Sequence, residues 1–137
     1  MAWTSILNDI SLEVVILYIS AIFWTLGYDT IYGIQDINDD EIIGNKSTAI
    51  KFKKNIKLFT SLCYLISLTL LTFVLYPIMN LNYSTVLFFL YVLSLIYQIK
   101  IFDAKKPMTC LKAFKTNNLS GLILFLTILT LNTNTEI

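Results

Sequence analysis

Long apolar runs alternate with short polar stretches along most of this chain. The apolar runs cover four segments, at about 12–28, 58–76, 85–102 and 119–131. A helix needs roughly 17–25 residues to cross a bilayer, and the first three segments meet that length. The fourth meets it only when the Asn and Thr residues at its rims are included, which extends it to about 117–133. The pattern therefore predicts four membrane-spanning helices.

The composition favours lipid over water as the surroundings of these helices. The chain has 137 residues, of which 56% are hydrophobic and 14% are charged. A soluble bundle of this length could not bury so much apolar surface, and four such runs would leave it no polar outer face. We therefore predict an all-α integral membrane helical bundle that forms one domain, without internal repeats or a linker.

The basic residues predict the orientation of the bundle. All ten are lysines, and they lie within or at the edges of two loops, at about 33–57 and 103–116. The positive-inside rule places such loops in the cytoplasm, with both termini and the 77–84 turn on the opposite side. Four spans satisfy this alternation without conflict. We expect a multi-pass protein of the bacterial inner membrane that contacts membrane lipid and no nucleic acid.

An acidic cluster follows the first apolar segment, in the stretch YDTIYGIQDINDDEIIGNKSTAIKF at residues 28–52. The cluster consists of Asp29, Asp36, Asp39, Asp40 and Glu41. If the first helix continues past the membrane edge at about 100° per residue, Asp29, Asp36 and Asp40 return to within about 20° of one direction. Asp39 lies about 80° away from them on the same helix. A continuous helix would therefore present three carboxylates as one acidic stripe.

Such a stripe calls for a cation, because carboxylates on one face at a membrane edge repel each other. The sequence has no His and no CxxC pair, so oxygen ligands and a hard cation, Mg²⁺ or Ca²⁺, are expected. Mg²⁺ commonly bridges carboxylates to substrate phosphates. Gly44 would end the helix, and Lys46 just beyond it could meet a phosphate as a point charge. Spacing alone equally allows a solvated acidic loop that balances the nearby lysines.

The motifs around the cluster resemble those of a known enzyme family. Residues 28–40 read YDTIYGIQDINDD and residues 44–49 read GNKSTA. They resemble the second aspartate-rich motif of the UbiA family, most closely its branch of 4-hydroxybenzoate polyprenyltransferases in ubiquinone synthesis. That branch has the pattern YDTxYAxxDxxDD followed by GxKSTA, from which Gly33 in place of Ala is the one departure.

The resemblance extends to both sides of this motif. Residues 24–27, WTLG, resemble the family's approach to it. Residues 113–118, AFKTNN, followed by Gly121, are similar to the AFxxNN…G element that opens the family's last helix. The similarity therefore runs nearly from end to end of the chain.

The resemblance implies a fold of nine membrane helices around a cavity open to the cytoplasm, of which this chain would provide the last four. Such enzymes join a polyprenyl diphosphate to an aromatic acceptor, here 4-hydroxybenzoate, and two Asp-rich motifs hold the Mg²⁺ ions that bind the diphosphate. Carried over to this sequence, Asp36 and Asp40 are the expected metal ligands, with Asp39 as an auxiliary acid. Asp29, Asp36 and Asp40 are the expected catalytic residues.

The resemblance also implies substrate contacts. Lys46 would contact the diphosphate, while Asp29 and Tyr32 would line the acceptor side of the cavity. Asn117 and Asn118 are further candidates for substrate binding. A role in capping the N-terminus of the fourth helix suits these two residues equally well.

One half of the family's site has no counterpart in this sequence. The family's first motif is of the type NDxxDxxxD, and after Asn8-Asp9 the positions that require Asp hold Leu12 and Ile16. We therefore expect the C-terminal part of a 4-hydroxybenzoate polyprenyltransferase that is inactive alone. It would be either the product of a split or decaying gene or the partner of a separately encoded N-terminal half. Two alternatives stay open: a fragment from another UbiA branch, and a non-catalytic four-helix membrane protein that binds divalent cations.

Overall fold

The computed structural model describes residues 11–37, 42–44, 46–79 and 83–135, with side chains described up to residue 131. Within these ranges, five α-helices have both ends described, and a short 3₁₀ turn at Tyr76–Ile78 extends the third. They are α1 Leu12–Gly33, α2 Thr48–Lys51, α3 Ile56–Leu75, α4 Tyr83–Ile101 and α5 Pro107–Thr135. The described part of the chain contains no β-strand, only an isolated bridge between Asp103 and Lys106.

Four of these helices are long and apolar enough to cross a membrane: α1, α3 with its 3₁₀ turn, α4, and α5 as far as Leu131. Only 17–33% of the residues in their apolar segments are buried inside the protein, so most apolar side chains face outward. An apolar exterior of this extent is stable in lipid, and helices satisfy their own backbone hydrogen bonds there. The prediction of an all-α membrane bundle with four spanning helices is confirmed.

The fourth spanning helix is longer than its apolar run. α5 begins at Pro107, where the missing N–H of proline costs nothing because the first N–H groups of a helix have no internal partner. Thr109 Oγ1 donates to the Lys106 carbonyl oxygen at 2.7 Å in this first turn. Hydropathy therefore predicted the part of α5 that crosses the membrane, but it did not predict that the helix begins at Pro107. Asn117 and Asn118 lie well inside α5, and the alternative that they cap its N-terminus is wrong.

The long helices pack as two pairs. α1 lies against α3, α4 lies against α5, and the pairs join mainly through α1 and α5. Gly27 leaves room for the ring of Tyr64 where α1 meets α3, and Ser20 Oγ donates to the Ser67 carbonyl oxygen at 2.9 Å. Small residues and hydroxyl hydrogen bonds of this kind hold helices together where lipid provides no hydrophobic driving force between them.

A chain of buried polar side chains joins α3, α4 and α5. Tyr64 Oη donates to Gln98 Oε1 at 2.8 Å, and Gln98 Nε2 donates to Ser120 Oγ at 2.8 Å. Ser94 Oγ also donates to Ser120 Oγ, at 2.8 Å. Because Tyr64, Gln98 and Ser120 are at most 1% exposed, each depends on the others for hydrogen bonds. The network therefore ties α4 to α3, two helices that otherwise touch little.

Candidate functional site

The YDTIY motif occupies the last turns of α1, and its side chains point to two different sides. Thr30 and Ile31 are 0% exposed and anchor the helix end in the protein. Asp29 and Tyr32 are both exposed, and residues three positions apart are neighbours on a helix surface. Asp29 also lines a shallow groove of about 360 Å³ along this face of α1. The motif thus presents a carboxylate and a phenol together on the outward face.

α1 ends earlier than the predicted acidic stripe requires. After Gly33, the N–H groups of residues 34, 35 and 36 donate to carbonyl oxygens three positions back, at 3.4, 3.1 and 3.3 Å. This spacing belongs to a tight 3₁₀ turn, not to an α-helix. Asp36 is exposed but lies beyond the helix, so the rotation of 100° per residue does not relate it to Asp29. The premise of a continuous α-helix through Asp36 is wrong.

The metal ligands Asp36, Asp39 and Asp40 stay a prediction. Asp39 and Asp40 lie outside the described residues. Among the residues that are described, no group of three His, Cys, Asp or Glu side chains could hold a metal ion. The exposed carboxylates of Asp29 and Asp36 suit a hard cation that keeps water and takes substrate oxygens as further ligands. The donors in this part of the chain are therefore of the oxygen type that Mg²⁺ takes.

The GNKSTA segment packs against the end of α1. Thr30 Oγ1 and Thr48 Oγ1 lie 2.9 Å apart, at hydrogen-bond distance. Ala49 is 0% exposed, and a Cβ built on Gly33 would lie 3.3 Å from the Ala49 Cβ. The segment therefore docks on the α1 motif through small and hydroxyl side chains, and it holds the exposed Lys46 at this end of the protein.

The turn before Lys46 depends on a glycine. Ile42 and Ile43 are helical, and Gly44 follows with φ of 76°, a conformation that suits glycine because it has no Cβ. The predicted role of Gly44 as a helix stop thus applies to this short turn, since α1 has already ended. Ser47 then begins α2, where its hydroxyl accepts a hydrogen bond from the Ile50 N–H at 3.3 Å.

The AFKTNN segment of α5 lies directly against the α1 motif. The ring centroid of Phe114 is 4.7 Å from that of Tyr32 and 6.0 Å from that of Tyr28. Trp24 Nε1 donates to Asn117 Oδ1 at 3.0 Å, across 93 positions of sequence. Three of the segments that carry the resemblance therefore meet at one end of the bundle: the end of α1, GNKSTA and the first half of α5.

Sequence reasoning places Asn117 and Asn118 together, but the structure separates them. Asn117 is half-buried and bonded to α1, whereas Asn118 is exposed. The same reasoning assigns no role to Trp24, whose donor makes that bond, or to the Tyr64–Gln98 pair. A Tyr and a Gln inside apolar runs are the available signal for that pair, because polar groups in spanning helices are rare and need partners.

These features define a class: a multi-pass, all-α membrane protein in which motifs that are far apart in sequence meet at one end of the helices. The sequence model of the UbiA prenyltransferase family matches residues 1–129. The chain therefore belongs to the UbiA prenyltransferase family, as the motifs indicate. No solved structure matches it.

Curated relatives are similar over almost the whole chain. The 4-hydroxybenzoate octaprenyltransferase of Edwardsiella ictaluri is 37% identical over 131 residues, covering 94% of this chain and 45% of the relative. That of Psychromonas ingrahamii is 39% identical, covering 91% and 44%. The mitochondrial 4-hydroxybenzoate polyprenyltransferase of Bos taurus is 36% identical, covering 92% and 34%. The chain spans less than half the length of these relatives.

Proposed function

We propose that this chain forms part of a 4-hydroxybenzoate polyprenyltransferase, which transfers a polyprenyl group from polyprenyl diphosphate to the ring of 4-hydroxybenzoate in ubiquinone biosynthesis. Family membership and the names of the relatives support this reaction. The observation that carries the proposal is the contact between Tyr32 of α1 and Phe114 of α5, with ring centroids 4.7 Å apart. It provides aromatic surface for a flat acceptor ring beside the carboxylate of Asp29.

In this proposal the acidic segment after α1 binds the diphosphate. Asp36, Asp39 and Asp40 would hold Mg²⁺, which would supply positive charge to offset the negative charge of the leaving diphosphate. Lys46 is exposed at the same end of the protein and adds a positive charge for the phosphate oxygens. The two contributions lower the barrier to breaking the allylic C–O bond, because both interactions strengthen as the diphosphate becomes more negative.

The acceptor occupies the side of the site formed by α1 and α5. Asp29 and Tyr32 orient the hydroxyl group and the ring, so that the ring carbon ortho to the hydroxyl faces the reactive end of the polyprenyl group. Asn117 and Asn118 supply amide donors from α5. Lipid around the helices keeps bulk water away from the allylic cation, which water would otherwise capture.

The proposed enzyme needs a second acidic motif that these 137 residues do not contain. Asp29 is exposed on the spanning helix α1, and an uncovered carboxylate at membrane depth costs several kcal/mol. We infer that further helices, carrying the NDxxDxxxD motif, cover this face and complete the site. They would come from an N-terminal half, separately encoded or not, and the chain alone would be inactive.

The proposed location is the bacterial inner membrane, with both Lys-rich loops in the cytoplasm. The site would then open toward the cytoplasm, because Lys46 and the acidic segment lie in the first of these loops. This orientation rests on the distribution of the ten lysines.

Prenyl transfer in isolated membranes tests the proposal. Radiolabelled polyprenyl diphosphate and 4-hydroxybenzoate are supplied to membranes that hold this chain alone, or this chain with an N-terminal half of a relative. We expect product only with both halves, and we expect Asp36→Asn and Asp40→Asn each to lower the rate by at least about 100-fold, the scale of lost electrostatic stabilisation.

Glu13→Gln is the matched control, because Glu13 is an exposed carboxylate at the opposite end of α1. It should leave the rate unchanged. Product from the chain alone would overturn the claim that it is inactive, and full activity of Asp36→Asn and Asp40→Asn would remove their assignment as metal ligands. Mg²⁺ binding without any transfer by the paired halves would favour a non-catalytic cation-binding protein.

A further inference from the structure

The ring of Trp24 is held in one place by three helices. It meets the ring of Tyr28 on α1 edge-on, with centroids 5.9 Å apart, and the ring of Tyr91 on α4 at 5.8 Å. On α5, a Cβ built on Gly121 would lie 3.5 Å from Trp24 Cη2, so the indole packs closely over this glycine. Because these contacts hold the indole ring in place, they also fix the direction in which its N–H group points.

The direction of the Trp24 N–H group determines which end of the Asn117 amide faces it. Trp24 Nε1 donates to Asn117 Oδ1 at 3.0 Å, and an indole nitrogen can only donate. The opposite orientation of the amide would bring two N–H groups together, so the oxygen must face Trp24 and the nitrogen must face away. Among the described residues, the side-chain hydrogen bond of Asn117 is this one to Trp24, and it uses the amide oxygen and not the nitrogen. Asn117 is half-buried, so its two N–H donors remain available to a ligand.

Aromatic side chains lie near Asn117 along α5 and on the facing end of α1. Phe114 precedes Asn117 by about one turn of α5, and its ring is 6.0 Å from Tyr28 and 4.7 Å from Tyr32 between centroids. An oriented amide donor one helical turn from a cluster of three aromatic rings matches a planar aromatic acid, whose ring packs on the aromatic surface while its carboxylate accepts charge-assisted hydrogen bonds.

The position also separates this contact from the diphosphate. Trp24 lies nine positions before Gly33, the last residue of α1, which corresponds to about 14 Å at 1.5 Å per residue, and Asp36 lies beyond that helix end. That span leaves room for a diphosphate near Asp36 and an aromatic ring between it and Asn117. The oxygens that reach Asn117 would then belong to the acceptor and not to the diphosphate.

We propose that Asn117 donates hydrogen bonds to the carboxylate of the aromatic acceptor, and that Trp24 is the positioning residue that holds the Asn117 amide in the donating orientation. This inference rests on the proposed function and assigns the end of the acceptor that α5 recognises. Trp24 itself touches no substrate and acts by preventing the amide from rotating.

The test compares two ligands that differ only in charge and hydrogen-bonding at one end, 4-hydroxybenzoate and 4-hydroxybenzamide. Their dissociation constants are measured by equilibrium dialysis with membranes that hold this chain together with an N-terminal half of a relative. We expect the wild type to bind the acid about tenfold more tightly, which corresponds to one charge-assisted hydrogen bond. Asn117→Asp keeps the oxygen that Trp24 needs but repels the carboxylate, so it should reverse the preference in favour of the amide.

Trp24→Phe keeps an aromatic ring but removes the N–H donor, so it should reduce the preference for the acid to a few-fold. Asn55→Asp is the control for added charge, because Asn55 lies at the N-cap of α3, and it should keep the wild-type preference. A purely structural role of Trp24 and Asn117 would weaken both ligands equally. Asn117→Asp is almost isosteric, so it also decides the matter where Trp24→Phe does not fold.

The inference is overturned if the wild type shows no preference for the acid, or if Asn117→Asp retains it. The proposed function is checked separately in the same membranes by Mg²⁺-dependent binding of pyrophosphate, which Asp36→Asn should abolish. If Asp36→Asn leaves pyrophosphate binding unchanged, the result counts against the proposed diphosphate site. The preference for the acid over the amide then still decides the role of Asn117.

Discussion

Gly27 lies where α1 crosses α3, and its missing side chain makes room for the ring of Tyr64. A Cβ built there would lie 2.7 Å from Tyr64 Cδ1 and closer still to Cε1. The ring has little freedom to move away, because Tyr64 is 1% exposed and its hydroxyl donates to Gln98 at 2.8 Å. Gly27→Ala must therefore either push α1 away from α3 or pull Tyr64 off Gln98.

The expected cost follows from three contributions. Overpacking a well-packed contact costs about 1–3 kcal/mol, and loss of a hydrogen bond between membrane helices adds about 0.6 kcal/mol. The higher helix propensity of alanine offsets up to about 1 kcal/mol of this. We expect Gly27→Ala to lower the free energy of unfolding by about 1–2.5 kcal/mol, as measured by SDS titration of the protein in detergent micelles with helix content followed by circular dichroism.

Gly121→Ala is the matched control. A Cβ at Gly121 would meet Trp24 Cη2 at 3.5 Å, an ordinary van der Waals contact, so this variant should be as stable as the wild type or slightly more stable. Tyr64→Leu supplies a second comparison, because it removes the ring that the new methyl group meets. In that background, Gly27→Ala should cost nothing.

Equal stability of Gly27→Ala and Gly121→Ala would refute the reasoning, since the two variants add the same methyl group to two helices with different space. A penalty for Gly27→Ala that persists in the Tyr64→Leu background would show that the ring is not the cause.

Three further predictions concern other helices and the loops. Gly33→Ala restores the family pattern at a position where the new Cβ would lie 3.3 Å from that of Ala49; a shift of a few tenths of an ångström in the short α2 accommodates it, so the free energy of unfolding should change by less than about 1 kcal/mol. Gln98→Leu leaves the buried hydroxyl of Tyr64 without its acceptor and should cost about 1–2 kcal/mol in the same SDS titration. Lys105→Cys should react with a membrane-impermeant maleimide only from the cytoplasmic side, because both native cysteines are buried and Lys105 is exposed in the second Lys-rich loop.

Each of these predictions has a distinct contrary result. A loss of more than about 2 kcal/mol in Gly33→Ala would mean that α2 is too rigid to shift. We expect the double variant Gln98→Leu/Tyr64→Phe to recover the stability that Gln98→Leu loses. If it does not, the hydrogen bond is not the source of the lost free energy of unfolding. Labelling of Lys105→Cys from the outer side would reverse the proposed orientation.

The number and type of the long helices follow from the sequence, but their ends do not. Three apolar runs are long enough to cross a bilayer by themselves, and the fourth is long enough with the Asn and Thr residues at its rims, so hydropathy finds the four spans. α5 starts at Pro107 rather than near residue 117, because a helix can continue into polar residues outside the membrane. α1 ends at Gly33 rather than running on through Asp36, and the next three N–H groups bond three positions back, as in a 3₁₀ turn.

For the candidate site, too, the sequence predicts some features and the tertiary structure decides others. The motifs alone predict the kind of ligand, since carboxylates and a lysine beside a membrane helix indicate oxygen-ligated cations and phosphates. The division of the YDTIY motif into buried Thr30 and exposed Asp29 and Tyr32 depends on which face of α1 the other helices cover. A period of 3.6 residues states which residues share a face, but it does not state where that face points.

By itself, the sequence determined that this is an all-α membrane protein of four spans with the motifs of the UbiA prenyltransferase family, because solvent preference and motif identity are properties of short segments. Only the tertiary structure decided that Trp24 bonds Asn117 across 93 positions and that Tyr64, Gln98 and Ser120 form one network. In lipid, apolar surface is equally stable on every side of a helix, so hydropathy cannot choose its neighbours. Close approach at glycines and pairing of polar groups make that choice, and both require helices that are distant in sequence to be brought together.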